Sequence, residues 1–317
     1  TEKTRNFQKY VTDEYITVNT EQRLYLFDLA NKTFTVELRT EDAASATLPF
    51  GTWESAIHLS TAEHFLWMQK AINEGDSDAI DALYALGGQQ APADYEAARI
   101  VLRSAYYVLD EDVALNFADG FTGIGDTDYF GGHFDGGNHT VKLNLTGTVT
   151  GAGENLYFGL FGRMGQLTDG MVEVCNLNVE SAFDMELVSL GSYTTYLGGL
   201  AGNAAGLTIE NVNVTLRQME VDRADSDTGR LNVSAGGFFG YEGGIYDADV
   251  TAKIDCTMQF ELGDTSGGTV NLGGFAGQGS DGGKVLFAGG EGIRAAGVSN
   301  AKIGAVMGYS WSAADFR

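Results

Sequence analysis

Gly159-Leu160-Phe161-Gly162 is the stretch that decides the fold, because this glycine–hydrophobic signature recurs along the rest of the chain. The later copies are Gly199-Leu200-Ala201-Gly202, Gly237-Phe238-Phe239-Gly240, Gly274-Phe275-Ala276-Gly277 and the degenerate Ala305-Val306-Met307-Gly308. The copies start at positions 159, 199, 237, 274 and 305, so the intervals are 40, 38, 37 and 31 residues. A near-constant period of this length indicates a stacked repeat, in which each unit buries its apolar face against its neighbours.

A second element repeats in step with the signature. It reads Asn176-Leu177-Asn178-Val179, Asn211-Val212-Asn213-Val214 and Asp247-Ala248-Asp249-Val250. Apolar residues alternate with Asn or Asp, which is the period of a strand with one buried face. Helical repeats would instead show apolar spacings of three and four, and a flexible linker would not repeat Phe and Leu in register. The chain is therefore predicted to be mainly β, folded as a parallel β-helix (solenoid).

The glycines of the signature have a physical role in such a fold. Without a Cβ atom, they let the backbone turn at a corner of the coil and lie close to the next coil. Leu200, Phe238 and Phe275 are then expected to stack in one interior column.

The region before the first signature adds two further segments, Phe121-Thr122-Gly123-Ile124-Gly125 and the stretch from Phe130 to Val141, which contains Phe134-Asp135-Gly136-Gly137. Together with the serial copies, these segments resemble the GLUG-type β-helix domain over about residues 105–310. That domain is found in large bacterial and some archaeal cell-surface proteins, including adhesins and non-catalytic parts of IgA-cleaving proteases. The resemblance implies a right-handed parallel β-helix, extracellular placement and a binding or structural role, with no catalytic residues to carry over. Residues 284–300 depart from the pattern, because they lack the Asn-x-Asn-Val strand.

The first hundred residues are of a different kind. Residues 1–50 contain β-prone runs, and those at 24–27 and 33–38 predict a hairpin. Residues 51–104 carry three short helical patterns, the first ending at Gly75. We expect this helical region to cap the N-terminal mouth of a solenoid formed by residues 105–317, since an open end would expose unpaired strands and apolar core.

The composition limits the partners. The chain has 43 acidic and 19 basic residues, a formal net charge of −24. This balance argues against nucleic acid and anionic membranes, which require clustered Lys and Arg, and it favours neutral or cationic partners. Adaptation to high salt would give the same acidity, and the sequence does not separate the two. There is no apolar run of about 20 residues that could cross a bilayer, and no signal peptide at Thr1.

Several groups could carry chemistry. His133, Asp135 and His139 form an H-x-D-x3-H string, which we interpret as a structural turn capped by the aspartate. Asp110, Glu111 and Asp112 could supply a carboxylate pair, although such pairs are common in an acidic chain.

Asp222, Asp225 and Asp227, followed by Gly229, place carboxylate oxygens at a spacing that could hold calcium, and this loop is the only cofactor site that the sequence suggests. A solvated acidic loop is the alternative. Cys175 and Cys256 fall in different columns of the repeat, so we expect two free thiols and no disulfide.

The leading functional hypothesis is a non-catalytic, secreted, cell-surface module of the adhesin type. It would display a face that binds glycans or proteins of a host or neighbouring cell, or act as a rigid stalk, within a larger surface protein. The alternative is a carbohydrate-active β-helix enzyme, a polysaccharide lyase or hydrolase. The break in the repeat at residues 284–300 offers such an enzyme only Lys284, Glu291 and Arg294 as charged groups.

Overall fold

The computed structural model describes most of the chain. The described ranges are 8–11, 15–20, 23–28, 33–37, 50–126, 128–151, 154–165, 172–189, 193–224, 230–262, 268–279, 285–288, 292–296 and 300–310. The chain divides into two compact units, Thr1–Leu48 and Pro49–Arg317, and each is described by itself.

The first unit is a four-stranded antiparallel sheet in sequential order. Its strands are β1 (Gln8–Val11), β2 (Tyr15–Thr20), β3 (Arg23–Asp28) and β4 (Thr33–Glu37). Strands β3 and β4 pair with Leu24 opposite Glu37 and Phe27 opposite Phe34, which confirms the predicted hairpin.

The second unit begins with a 3-10 turn (Trp53–Ser55) and strand β5 (Ile57–Leu59), followed by helices α1 (Ala62–Gln69), α2 (Ser77–Leu86) and α3 (Tyr95–Arg103). A π-helical turn, Lys70–Glu74, extends α1 and ends at Gly75, whose φ of 69° lies in the left-handed region. Each helix starts where a side-chain oxygen of Thr61, Asp76 or Asp94 accepts a backbone N–H three residues on, which satisfies one of the free donors of the first turn.

The helices cover the N-terminal end of the solenoid. The side chain of Gln69 donates to the carbonyl of Gly120 and accepts from the N–H of Thr122, at 3.0 and 2.7 Å. One turn later, Asn73 donates to the Gly123 carbonyl at 2.9 Å and accepts from the backbone N–H groups of residues 125 and 126. Two amide side chains thereby satisfy backbone groups of the 120–126 loop, whose Ile124 also forms a β-bridge with Phe161. The helical cap predicted from the sequence is confirmed.

The remaining elements form the solenoid. They are β6 (Tyr106–Leu109), β7 (Val113–Asn116), a 3-10 turn (Phe117–Asp119), β8 (His133–Asp135), β9 (Thr140–Gly151), β10 (Leu156–Phe158), β11 (Phe161–Gly165), β12 (Val172–Ser189), β13 (Tyr193–Gly198), β14 (Ala201–Ala205), β15 (Leu207–Arg223), β16 (Leu231–Gly236), β17 (Phe239–Glu242), β18 (Ile245–Ile254), β19 (Thr257–Glu261), β20 (Val270–Gly273), β21 (Ala276–Gly279), β22 (Val285–Ala288), β23 (Gly292–Ala296), β24 (Ala301–Gly304) and β25 (Met307–Ser310).

Three parallel sheets run along the solenoid. Sheet 1 has the order β10-β13-β16-β20-β24, and sheet 2 has the order β11-β14-β17-β21-β25. Sheet 3 has eleven strands, with the main path β22-β18-β15-β12-β8-β6-β5; β9 pairs with β12 and β7, and β19 pairs with β15 and β23. Strand β5 precedes the helices in the chain and β6 follows them, and the two strands pair in sheet 3. The helical cap is therefore connected to sheet 3 at both of its ends. The predicted parallel β-solenoid is confirmed.

The strand register reproduces the sequence repeat. In sheet 2, Phe161 pairs with Ala201, then Phe239, Ala276 and Met307, which are the third residues of the five signatures. The preceding residues, Leu160, Leu200, Phe238 and Phe275, are fully buried. The rings of Phe238 and Phe275 lie 5.2 Å apart between centroids. The predicted interior column is therefore confirmed.

The last glycine of each signature is required by close approach between sheets 1 and 2. A Cβ atom on Gly240 would lie 2.5 Å from the carbonyl oxygen of Gly202 and 2.7 Å from the nitrogen of Leu197. Both are backbone atoms held in hydrogen-bonded strands, so neither can move aside cheaply.

The asparagine element differs from a regular strand. Asn176 and Asn211 adopt left-handed conformations, with φ of 51° and 54°, and Asn138 does the same at 64°. Their side chains point along the solenoid axis, since Nδ2 of Asn211 donates to Oδ1 of Asn176 at 3.0 Å and to Oδ1 of Asn138 at 3.2 Å. Asparagine tolerates this conformation better than most residues, and the amide ladder joins successive coils.

Candidate functional site

Two rows of side chains, of which Ser234 is fully buried and Asn271 nearly so, meet along the corner between sheets 1 and 2. We call the space between the rows the axial groove. The sheet 1 row is Tyr157, Tyr196, Ser234, Asn271 and Lys302, in successive register. The sheet 2 row is Arg163, Asn203, Tyr241, Gln278 and Tyr309. Five strands at the parallel spacing of about 4.8 Å make the groove about 19 Å long.

The two rows contact each other across the groove. Tyr196 meets Tyr241 edge to face across the groove, with ring centroids 6.3 Å apart, and within the sheet 1 row the rings of Tyr157 and Tyr196 stack at 5.2 Å. Further along, Nδ2 of Asn271 donates to Oε1 of Gln278 at 3.4 Å. These contacts hold the side chains in place before any ligand arrives.

The far half of the groove opens into a cavity of about 290 Å³. Its lining includes five residues of the two rows, together with Val233 and three polar side chains beside them: Tyr196, Asn271, Gln278, Lys302 and Tyr309 from the rows, and Thr194, Asn232 and Thr269. Hydroxyl and carboxamide groups both donate and accept hydrogen bonds, so this lining suits a ligand that does the same.

The two rows carry a formal charge of +2, although the protein as a whole is strongly acidic. The ten residues of the two rows include no Asp or Glu, and their two cations stand near opposite ends. Each cation lies on a tyrosine ring: the guanidinium of Arg163 is 3.9 Å from the Tyr129 centroid, and Nζ of Lys302 is 3.5 Å from that of Tyr309. Burial raises the pKa of Tyr196, so its hydroxyl stays protonated and can donate at neutral pH.

A second concave site, the N-terminal cavity, lies on the outer face of sheet 3 beside the cap. Its volume is about 470 Å³. The residues around it are Trp53, Glu54, Ser55, Ala56, His58, Tyr106, Tyr107, Val108, His133, Phe134, Asp135, Glu173 and Cys175. They come from the 3-10 turn and from β5, β6, β8 and β12, which sheet pairing brings side by side.

The centre of this cavity is a stacked Tyr106–His133 pair, with ring centroids 4.0 Å apart and planes 4° from parallel. Nδ1 of His133 lies 3.5 Å from Oε2 of Glu173. Burial lowers the pKa of His133, and the Glu173 carboxylate opposes that shift only in part. Burial also raises the pKa of Tyr106, with a further contribution from Glu173. Both rings are therefore neutral at pH 7.

The structure separates the residues of the H-x-D-x3-H string. His133 and Asp135 border the N-terminal cavity, whereas Nδ1 of His139 lies 3.4 Å from Oδ1 of Asp112. Oδ1 of Asp135 accepts from the N–H of Gly137 at 2.9 Å, and Gly137 has a φ of 57°. The interpretation of this string as an aspartate-capped turn is confirmed.

The acidic residues at 110–112 also lie in different surroundings. Asp110 pairs with Nδ1 of His58 at 2.9 Å, beside the N-terminal cavity, while Asp112 accepts from the N–H of Thr140 at 2.8 Å. The backbone hydrogen bond to Thr140 lowers the pKa of Asp112. Glu111 is exposed. The carboxylates at 110 and 112 thus serve different partners and do not form a catalytic pair.

Neither Cys175 nor Cys256 forms a disulfide, as expected from their columns. Each is partly buried rather than fully buried. Burial and the neighbouring Asp135 raise the pKa of the Cys175 thiol to about 12, so it is a poor nucleophile.

Of the proposed calcium ligands, Asp222 is described, at the end of β15, and Asp225 and Asp227 lie outside the described residues. Asp222 pairs in register with Glu186 and Glu261, and burial with these acidic neighbours raises its pKa. Among the residues that the structure describes, there is no group of three or more His, Cys, Asp or Glu side chains arranged to hold a metal ion. The calcium loop stays a prediction.

The break in the repeat is at the other end of the solenoid from the N-terminal cavity. Arg294 is exposed on β23, and Lys284 and Glu291 lie outside the described residues. Neither site was predicted from the sequence, although His133 and Asp135 of the N-terminal cavity stand out in the H-x-D-x3-H string. A signal for the groove does exist: the residue after the last glycine of each signature is Arg163, Asn203, Tyr241, Gln278 or Tyr309, all of them polar or aromatic.

Comparisons of this chain with protein-family models, with characterised proteins and with solved structures give no match. Within the described part of the chain, no helix has the length and apolar character needed to cross a membrane.

Proposed function

We propose that this chain is a non-catalytic cell-surface module of the adhesin type, and that its axial groove binds a neutral polysaccharide lying along the solenoid axis. The observation that carries this proposal is the pair of five-residue rows described above, which contain four tyrosines and three carboxamides. The likeness of the repeats to GLUG-type domains supports extracellular placement, within a larger surface protein and against host or neighbouring cells.

The chemistry of the groove fits sugars. Carbohydrate hydroxyls donate and accept hydrogen bonds, as do the side chains of Asn203, Asn271 and Gln278. The C–H faces of sugar rings pack on aromatic surface, which Tyr196 and Tyr241 supply next to their own hydroxyl groups. The strand spacing of about 4.8 Å is close to the length of one sugar unit in an extended chain. Successive sugar units of the ligand therefore meet successive residues of each row.

The charge of the protein favours a neutral polysaccharide over a charged one. A net charge of −24 repels polyanions such as uronic acid polymers, and the rows themselves have no carboxylate that would require a cationic sugar. A neutral chain meets neither obstacle. The same acidity makes single-stranded nucleic acid, another ligand of aromatic grooves, an unfavourable partner.

The alternative is a carbohydrate-active enzyme, and the N-terminal cavity is the place that it would use. His133, Tyr106 and Glu173 could exchange protons there. A lyase also needs a cation to stabilise an enolate, and the described residues around this cavity include no Lys or Arg. This absence favours binding without turnover.

A glycan array with neutral and acidic polysaccharides tests the proposal, with a degradation assay on the same panel. We expect a neutral ligand, no new reducing ends or unsaturated products, and loss of at least tenfold in affinity for Tyr241→Ala. Tyr95→Ala is the matched control, since Tyr95 lies on α3, away from sheets 1 and 2. Binding that survives Tyr241→Ala, or products that disappear with His133→Gln, would contradict the proposal.

A further inference from the structure

The N-terminal cavity has a different chemistry from the axial groove. Three of its lining residues are carboxylates, Glu54, Asp135 and Glu173, and no described residue around it is Lys or Arg. Its volume of about 470 Å³ is within the range of small-ligand sites. We infer that this cavity binds a protonated primary amine on an aliphatic stem, the chemistry of a lysine side chain.

An aromatic wall is the first reason. The side chain of Trp53 is 72% exposed at the rim, although tryptophan is a residue that folding normally covers. Tyr106 forms part of the same lining. An ammonium group gains from contact with the faces of such rings, and the apolar stem gains from their surface.

The second reason is a polar atom that the protein leaves unsatisfied. Nδ1 of His133 is buried and makes no hydrogen bond to the residues that the structure describes. It faces Oε2 of Glu173 at 3.5 Å, a distance without hydrogen-bond geometry. In the tautomer with its proton on Nε2, the neutral imidazole offers Nδ1 as an acceptor beside the Glu173 carboxylate, and one ammonium group placed there can donate to both.

Nδ1 of His133 and the Glu173 carboxylate specify which cation fits. A primary ammonium carries three N–H donors, whereas a quaternary ammonium carries the same charge and none. The cavity should therefore distinguish the two, with the primary amine bound more tightly. A lysine side chain on the surface of a partner protein has this amine and a four-carbon stem.

Calorimetric titration with Nα-acetyl-lysine methylamide at low ionic strength tests the inference. Two analogues are the ligand controls: the norleucine compound, which has the stem without the amine, and the trimethyl-lysine compound, which has the charge without N–H donors. We expect binding of the lysine compound, at least fivefold weaker binding of the trimethyl compound, and no binding of the norleucine compound.

Variants then locate the site. Glu173→Gln and Trp53→Leu should each weaken lysine binding about fivefold or more, because the first removes a charge and the second an aromatic face. Glu96→Gln is the control, since it removes a carboxylate of the same kind from α3, outside the cavity lining. Unchanged melting temperatures will show that the variants are folded.

Three results would overturn the inference: no heat with the lysine compound, equal binding of the trimethyl compound, or affinities unaffected by Glu173→Gln and Trp53→Leu. The cavity variants leave the axial groove intact, so glycan binding by them is unchanged. Failure here is thereby distinguishable from failure of the proposed function.

Discussion

Replacing Phe238 with alanine is the most informative test of the solenoid core. The side chain is fully buried, and its ring lies 4.7 Å from that of Phe239 and 5.2 Å from that of Phe275. A phenylalanine of this kind buries about 150–250 Å². At about 25 cal/mol per Å², its complete removal from water contributes about 4–6 kcal/mol, of which alanine retains a part.

The cavity left by the substitution adds to the loss, because strands held in a parallel ladder cannot collapse into it. We expect Phe238→Ala to lower the free energy of unfolding by about 3–5 kcal/mol. The measurement is urea unfolding followed by far-UV circular dichroism, compared at unchanged slope. Ile100→Ala is the control: Ile100 is 55% exposed on α3, so its loss should change the stability by no more than about 0.5 kcal/mol.

A decrease of less than about 1 kcal/mol in the free energy of unfolding of Phe238→Ala would refute the reasoning, since truncating a fully buried phenylalanine normally costs more. A far-UV spectrum dominated by helix in the intact chain would refute it as well.

Three further predictions concern single positions. Gly240→Ala should destabilise the protein by about 1–3 kcal/mol, because its Cβ would collide with the backbone oxygen of Gly202; an unchanged urea midpoint would contradict this. Asn211→Ala should lower the free energy of unfolding by about 2 kcal/mol, through backbone strain and the lost hydrogen bond to Asn176. Asn211→Gly should recover the part due to strain, so equal losses in the two variants would refute the left-handed conformation of Asn211. Burial and Asp135 raise the pKa of Cys175 to about 12, so at pH 8 iodoacetamide should label this thiol about a hundredfold or more slowly than a thiol in a small peptide. Labelling at the peptide rate, measured by mass spectrometry, would contradict this.

The sequence predicted the solenoid because its signals are local and repeated. Each of the first four signatures supplies two buried residues and a glycine that the neighbouring sheet requires, so the period of the sequence is the period of the register. Phe161, Ala201, Phe239 and Ala276 pair in the structure at the same intervals at which the signatures recur.

The two sites could not be predicted in the same way, because each is made by elements that the chain separates. Tyr196 and Tyr241 belong to different sheets and meet only at the corner between them. His58 precedes the three helices, and only the pairing of β5 with β6 brings it to the cavity of His133. The left-handed asparagines were missed for another reason: an alternating pattern predicts side-chain faces and contains no information about φ.

The central claim is that one neutral polysaccharide chain lies along five successive strands of the axial groove. Titration with oligosaccharides of increasing length, from the ligand that the array selects, tests it most directly. We predict that affinity increases with each added sugar up to about five units and is then constant, because sheets 1 and 2 each have five strands. Affinity that does not depend on length, or that stays the same in Tyr241→Ala, would contradict the claim.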